Sequence, residues 1–339
     1  MSADYDLVIL GGTLEGRFAA SLAAGYGARI ALIEPPNVFS QRQQVRYLLK
    51  GLQQLAKGQA LHVVDAWFRQ SASPFDFANR ERKQLDWTAL LKWSAIAAET
   101  QSIYLSPDAL SSRGVDFISA MPNSLVDRRQ SLSSGLIVTA EKRTLSTRSV
   151  LAAFGTVPRT VPRAETSIDS SIPLITGIEN LLMSDRLPTD ISIWGDSFRA
   201  IDWAEALNAL GTTVTLVADR FLRDEDSEIR ELMRSQLLAA GIKIISSTQR
   251  RSPKPSSEII LQLGRHKPAL ALPDFVYQPA QNYQGIDARI PERPYLLSNN
   301  RLQTAHPRVF ACGSLLRRRV FPFSIAKHEA QHAVSNALF

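Results

Sequence analysis

Gly11, Thr13 and Gly16 fall at the first, third and sixth places of a short run, and Gly195, Ser197 and Ala200 repeat that spacing later in the chain. In such a G-x-G-x-x-G pattern the first glycine makes a tight strand-to-helix turn. The second lets the backbone approach a diphosphate, and the third lets the helix pack on its strand. The residues around each run fit that chemistry. Asp6–Glu34 reads DLVILGGTLEGRFAASLAAGYGARIALIE and Asp190–Asp219 reads DISIWGDSFRAIDWAEALNALGTTVTLVAD. Each is a dinucleotide-binding fingerprint in outline. The fold signal survives in both, and in both the close-approach glycine is replaced, by Thr13 and by Ser197.

The elements that must hold these runs are legible. Tyr5 to Leu10 predicts a buried parallel strand, Gly16 to Ala24 a helix of small residues, and Arg29 to Glu34 the next strand: one βαβ unit. Ser40 to Ala56 has helical spacing, with Val45, Leu48, Leu49, Leu52 and Leu55 on one face. Asp86 to Thr100 predicts a helix opened by an Asp N-cap. Gly114 to Ala120 predicts a short strand, and Leu125 to Ala140 and Arg143 to Phe154 an antiparallel block. A linker runs to about Ile172. The second βαβ unit follows, with its helix from Ser197 to Leu210 and its strand from Thr213 to Val217. Then come a charged helix from Asp226 to Ala240, a strand from Ile242 to Ile245, a buried strand from Val309 to Cys312, and a last helix from about Pro322 to Leu338.

With 339 residues, 45% hydrophobic and 21% charged, the chain has ample material for two or three domains and little tendency to disorder. No apolar run approaches the roughly 20 residues of a membrane span, and no signal peptide is expected at the N-terminus. A single cysteine, Cys312, excludes an intrachain disulfide and suits the cytoplasm. The net charge is +7, with basic clusters at Arg128-Arg129, Arg250-Arg251 and Arg317-Arg318-Arg319. These read as solvated surface or as steering toward an acidic protein, nucleotide phosphates or an anionic membrane face. No aromatic residues interleave with them, so no nucleic-acid platform is expected.

The order of these elements resembles the pyridine-nucleotide–disulfide oxidoreductase family, which includes glutathione reductase and lipoamide dehydrogenase. Five landmarks carry the resemblance over nearly the whole chain. They are the N-terminal βαβ unit ending in Glu34, the run Ala153-Phe154-Gly155-Thr156-Val157-Pro158-Arg159, and the second, nested βαβ unit. The fourth is Asp224-Glu225-Asp226 to Gly241-Ile242-Lys243-Ile244, and the last is Thr304 to Ser314, TAHPRVFACGS. The resemblance implies an α/β fold of two nested Rossmann-like, three-layer domains. Residues 1–160 and 265–339 would form a discontinuous FAD-binding domain, and residues 161–264 an NAD(P)-binding-like domain. By the same resemblance Gly11, Gly12 and Gly16 line the FAD pyrophosphate, with Thr13 crowding it or donating to it. Glu34 binds the adenosine ribose, Gly155 closes the strand block against the cofactor, and Gly313 and Ser314 meet the ribityl chain. For NAD(P)H, Gly195 and Ser197 face the pyrophosphate. Ala218 stands where a ribose-binding acid is expected, Asp219 is one residue late, and Arg220 suits a 2′-phosphate. Arg46 and Asp202 take the places of a family Lys–Glu pair beside the flavin, an ion pair expected across the domain interface.

The chain departs from the family in its redox chemistry. The family's C-x4-C falls at Asn37 and Arg42, so no dithiol relay is available. No counterpart of the C-terminal interface domain is expected. His328 and His332 read as surface or packing histidines, and no metal site is expected. The implied function is an FAD-dependent oxidoreductase that passes electrons from NAD(P)H to a non-disulfide acceptor, a quinone or an electron carrier. The alternative is a degenerate, non-catalytic scaffold with an assembly or regulatory role.

Overall fold

Tyr5–Leu10 is apolar on both faces, which suits a strand covered on both sides of a parallel sheet. In the computed structural model it forms β1, with Leu7 to Leu10 at most 2% exposed. The structure describes residues 3–56, 86–127, 135–158, 172–218, 221–222, 225–246, 258–263, 266–268, 273, 276, 296–316 and 323–339. After β1 come α1 (Leu14–Gly25), β2 (Ile30–Glu34), α2 (Val38–Ala56), α3 (Trp87–Ser102) and α4 (Pro107–Ser111). The middle of the chain holds β3 (Val115–Ser119), β4 (Pro122–Asp127), β5 (Leu136–Ala140), β6 (Arg143–Ala152), β7 (Thr156–Pro158) and β8 (Leu174–Thr176). Next are β9 (Asp190–Trp194), α5 (Phe198–Asn208), β10 (Thr213–Val217), α6 (Ser227–Ala239) and β11 (Lys243–Ile245). The chain closes with β12 (Ile259–Gln262), β13 (His266–Pro268), β14 (Val309–Ala311) and α7 (Phe323–Leu338).

The chain divides into two compact units. One comprises Met1–Gln41, Gln101–Val157 and His266–Phe339; the other comprises Arg42–Thr100 and Pro158–Arg265. In the first, β3-β2-β1-β6 are parallel neighbours and β14 also runs parallel to β6. The length of β6 explains the change of texture seen in the sequence. Its Thr147–Ala152 end pairs with β1, while its Arg143–Thr147 end pairs antiparallel with β5, which leads to β4. Ala19, Ala20 and Ala23 of α1 share a core with Ala330, Ala333 and Val334 of α7, all of them fully buried. Small residues let these helices lie close to the sheet.

The second unit holds five parallel strands in the order β11-β10-β9-β12-β8. Its core joins Ile191, Ile193, Leu216 and Leu261 to Trp203 of α5. The same core contains Val45, Leu48 and Leu52 of α2 and Trp87, Leu90 and Trp93 of α3. Gly51 makes that packing possible, since a Cβ there would stand 2.6 Å from the Trp93 ring. Trp87 donates its indole N–H to the Ser184 carbonyl at 2.9 Å. No described helix is long and apolar enough to cross a membrane. The α/β architecture with two Rossmann-like sheets is the one the sequence implied.

Candidate functional site

The first fingerprint turns where the sequence requires. The Gly11 amide donates to the Ile33 carbonyl at 2.8 Å. Gly12 sits at φ +108°, a conformation that disfavours any side chain. Gly16 packs on the end of β6, so a Cβ there would lie 3.2 Å from both Cβ and O of Ala153. Gly155, at φ +69°, is buried just beyond.

Thr13 is the N-cap of α1, and it is buried. Its hydroxyl donates to the Ala153 carbonyl at 2.6 Å and accepts the Gly16 amide at 3.2 Å. A helix start offers free N–H groups to an anion; here the Gly16 amide is spent on Thr13, and the Thr13 hydroxyl proton on the Ala153 carbonyl. Glu15 follows in the same first turn, and its carboxylate lies against Gly313, at φ +74°, where a Cβ would collide with it. The Gly313 amide in turn donates to Glu329 Oε2 of α7 at 2.9 Å. Between these acids Cys312 is fully buried. Burial, with the charges of Glu15 and Glu329, pushes its thiol well above the usual range, so it is no nucleophile. Ser314 is half-buried in the 3-10 turn that follows.

Glu34 ends β2 buried, and it is already engaged. Arg17 reaches it with both sides of its fork, Nε to Oε2 at 2.9 Å and Nη2 to Oε1. Its Nη1 donates to the Leu105 carbonyl at 2.9 Å. The guanidinium lies 3.6 Å over the Phe39 ring and 5.4 Å from the Phe117 centroid. A bidentate, aromatic-stacked arginine of this kind is a fixed object rather than a swinging surface charge. Sequence reasoning missed Arg17, Glu15 and Glu329. A readable signal existed for Glu329, an acid on the same face of α7 as Ala330, Ala333 and Val334.

The second fingerprint is barer. Gly195 makes the turn, and a Cβ there would meet the Leu263 carbonyl oxygen at 2.9 Å and Ala200 Cβ at 3.0 Å. Ser197 is the N-cap of α5 without a side-chain capping bond, and its Oγ is buried without a hydrogen-bond partner among the described residues. Trp194 Nε1 is in the same condition. Ala218 is buried; Asp219 and Arg220 lie outside the described residues. Arg46 and Asp202 both belong to the second unit, on α2 and α5. Burial raises the Asp202 carboxyl, and burial with the Asp202 charge raises Glu205. Elsewhere His306 Nε2 meets Asp127 at 3.1 Å. The exposed rings of His328 and His332 touch edge to face, 4.3 Å between centroids. No group of three metal-ligating side chains occurs among the described residues.

A dinucleotide laid on α1 as the resemblance implies meets a helix amide already bonded, a carboxylate in the first turn, and a ribose acid held by an arginine. A diphosphate beside Glu15 brings like charges together. The residues present do not fit that group in that pose.

The sequence profile described as pyridine nucleotide-disulphide oxidoreductase matches residues 5–336. The dihydrolipoyl dehydrogenase of Bacillus subtilis (strain 168) is 28% identical over 278 residues, 74% of this chain and 52% of that protein. The dihydrolipoyl dehydrogenase of Acholeplasma laidlawii is 23% identical over 369 residues, all of this chain and 97% of the other. Among solved structures, the Cu(II) complex of the HOCl-induced flavoprotein disulfide reductase RclA from Escherichia coli superposes with a TM-score of 0.66. It shares 17% identity, covering 100% of this chain and 71% of that one. The family's members bind FAD and use NAD(P)H. A single cysteine agrees with the loss of C-x4-C. On its landmarks, its sheets and a match across nearly its full length, the chain belongs to the pyridine nucleotide-disulphide oxidoreductase family of flavoprotein oxidoreductases.

Proposed function

We propose that this chain is a non-catalytic member of its family, a flavoprotein-like scaffold with an assembly or regulatory role in the cytoplasm. One observation carries the reading: Glu34, the acid that the resemblance assigns to the ribose, is buried and already paired with Arg17. The net charge of +7 favours an acidic protein partner. The test is the visible absorbance of the purified protein, followed by NADH and NADPH turnover. The reading expects a colourless protein that ignores both nucleotides. Flavin bands near ~375 and ~450 nm that bleach with NAD(P)H would overturn it.

A second reading keeps the family's chemistry, an FAD-dependent oxidoreductase that passes electrons to a quinone or an electron carrier. The glycine turn favours it, since Gly12 keeps its left-handed conformation and Gly16 its close packing on Ala153. In that reading Arg46 and Asp202 form the pair beside the flavin. An Arg46 within ion-pair reach opposes the upward shift that burial imposes on Asp202, so the measured Asp202 titration separates the two readings.

A further inference from the structure

We propose that the first unit carries built-in replacements for the two ends of a dinucleotide, so that the fold completes itself without one. The inference rests on the non-catalytic reading and adds what occupies the site.

At one end the replacement is Arg17. Its guanidinium is planar, lies 3.6 Å over Phe39, and donates twice to Glu34. A nucleoside presents the same elements to such a place, a flat ring to stack and hydroxyls to donate to an acid. At the other end it is Glu329. The Gly313 amide, held in a left-handed turn, donates to this carboxylate at 2.9 Å, as it would to a ligand oxygen. Glu15 fills the remaining space against Gly313. Thr13 takes the helix amide that an anion would use. Four side chains from two helices thus fill separate parts of one ligand's footprint, and Arg17, Glu329 and Thr13 make hydrogen bonds inside the protein. Random loss of a cofactor would leave a buried carboxylate and a buried amide unsatisfied. Here Glu34 and Gly313 N both have protein partners.

The experiment compares the full chain with Arg17→Ala and with Arg17→Ala/Glu15→Gly. Thermal unfolding is followed with and without adenosine monophosphate and FAD, and FAD binding is followed by quenching of its fluorescence. The wild type is expected to be colourless and unmoved by either nucleotide. Arg17→Ala is expected to melt lower and to recover by about 5 °C or more with adenosine monophosphate, which refills the slot over Phe39. The double variant is expected to quench FAD fluorescence. Variants that fold but take neither nucleotide overturn the inference and leave the non-catalytic reading intact. A wild type that binds FAD overturns both. Should Arg17→Ala not fold, Arg17→Lys decides. Its thin ammonium keeps a charge on Glu34 and bares the Phe39 ring, so adenosine monophosphate binding supports the inference and its absence overturns it.

Discussion

Thr13 and Ser197 occupy the same place in two copies of one motif, and their hydroxyls meet opposite fates. Thr13 bonds to Ala153 and to Gly16, while Ser197 Oγ is buried without a partner. The contrast extends outward. Around Thr13, Glu34, the Gly313 amide and one amide of the helix start have partners in Arg17, Glu329 and Thr13. Around Ser197 the Trp194 indole N–H has no partner among the described residues, and burial raises a carboxyl on α5. The first unit departs from the family by addition, the second by subtraction. Addition leaves polar groups whose removal is costly, and subtraction leaves groups whose removal costs little.

The largest effect is therefore expected at Arg17. Arg17→Ala strands Glu34 in a buried site and is expected to cost about 3–5 kcal/mol in urea unfolding. Replacing both partners with apolar residues, Arg17→Met with Glu34→Leu, is expected to be neutral or better by about 1–4 kcal/mol. A single variant that costs no more than a surface substitution would show that the pair does not hold the first unit together.

Next come the glycines. At Gly195 a new Cβ would sit 2.9 Å from a backbone oxygen, and at Gly16 the nearest atoms are 3.2 Å away. Backbone yields less readily than a side-chain end. Gly195→Ala is expected to cost about 1–3 kcal/mol, and Gly16→Ala less. The reverse order would mean that Leu263 moves more freely than Ala153.

The two hydroxyls give the sharpest pairing. Thr13→Ala removes an N-cap and a second buried bond, an expected loss of about 1–2 kcal/mol. Ser197→Ala removes an unpartnered group and is expected to stay within about 0.5 kcal/mol of wild type. Equal costs would erase the distinction between the units.

The same contrast sets what was legible in the sequence. Both βαβ units, the antiparallel block and the last helix could be read because their signals are local: apolar runs, glycines at fixed offsets and helical spacing. The short strands Leu174–Thr176 and Ile259–Gln262 were missed, being too brief to show a period. The Arg17 contacts were missed for a different reason. Arg17 in the first turn of a helix reads as a solvent-facing charge, and its contacts Glu34, Phe39, Leu105 and Phe117 are scattered along the chain. Only the fold brings them together. The losses at Ser197 and Ala218 were readable because a missing residue is visible at its own position, whereas an added partner is visible only in three dimensions.

The smallest expected effect, one of pH, runs in opposite directions in the two units. In the first, the Arg29 guanidinium holds Asp6 below the usual carboxylate range, and Arg143 does the same for Asp116. A lowered folded value means a favourable contribution that is complete above the unfolded value of about 4 and is lost as pH falls through the folded one. In the second unit burial raises Asp202 and Glu205. A raised folded value means a cost that is complete above that value and disappears as pH falls below the unfolded one. Acidification should thus relieve the second unit as pH falls toward about 4 and weaken the first only below it. Trp87, Trp93, Trp194 and Trp203 all lie in the second unit, so their fluorescence reports it. Hydrogen exchange in peptides spanning β1 and β3 reports the first. Below about pH 4 the exchange protection of β1 and β3 should fall before the tryptophan signal changes. In Asp202→Asn the second unit should be more stable at neutral pH, and its remaining acid relief should come from Glu205 alone. Parallel loss of both signals on acidification would mean that the buried carboxyls on α5 are compensated after all, by a cation such as Arg46.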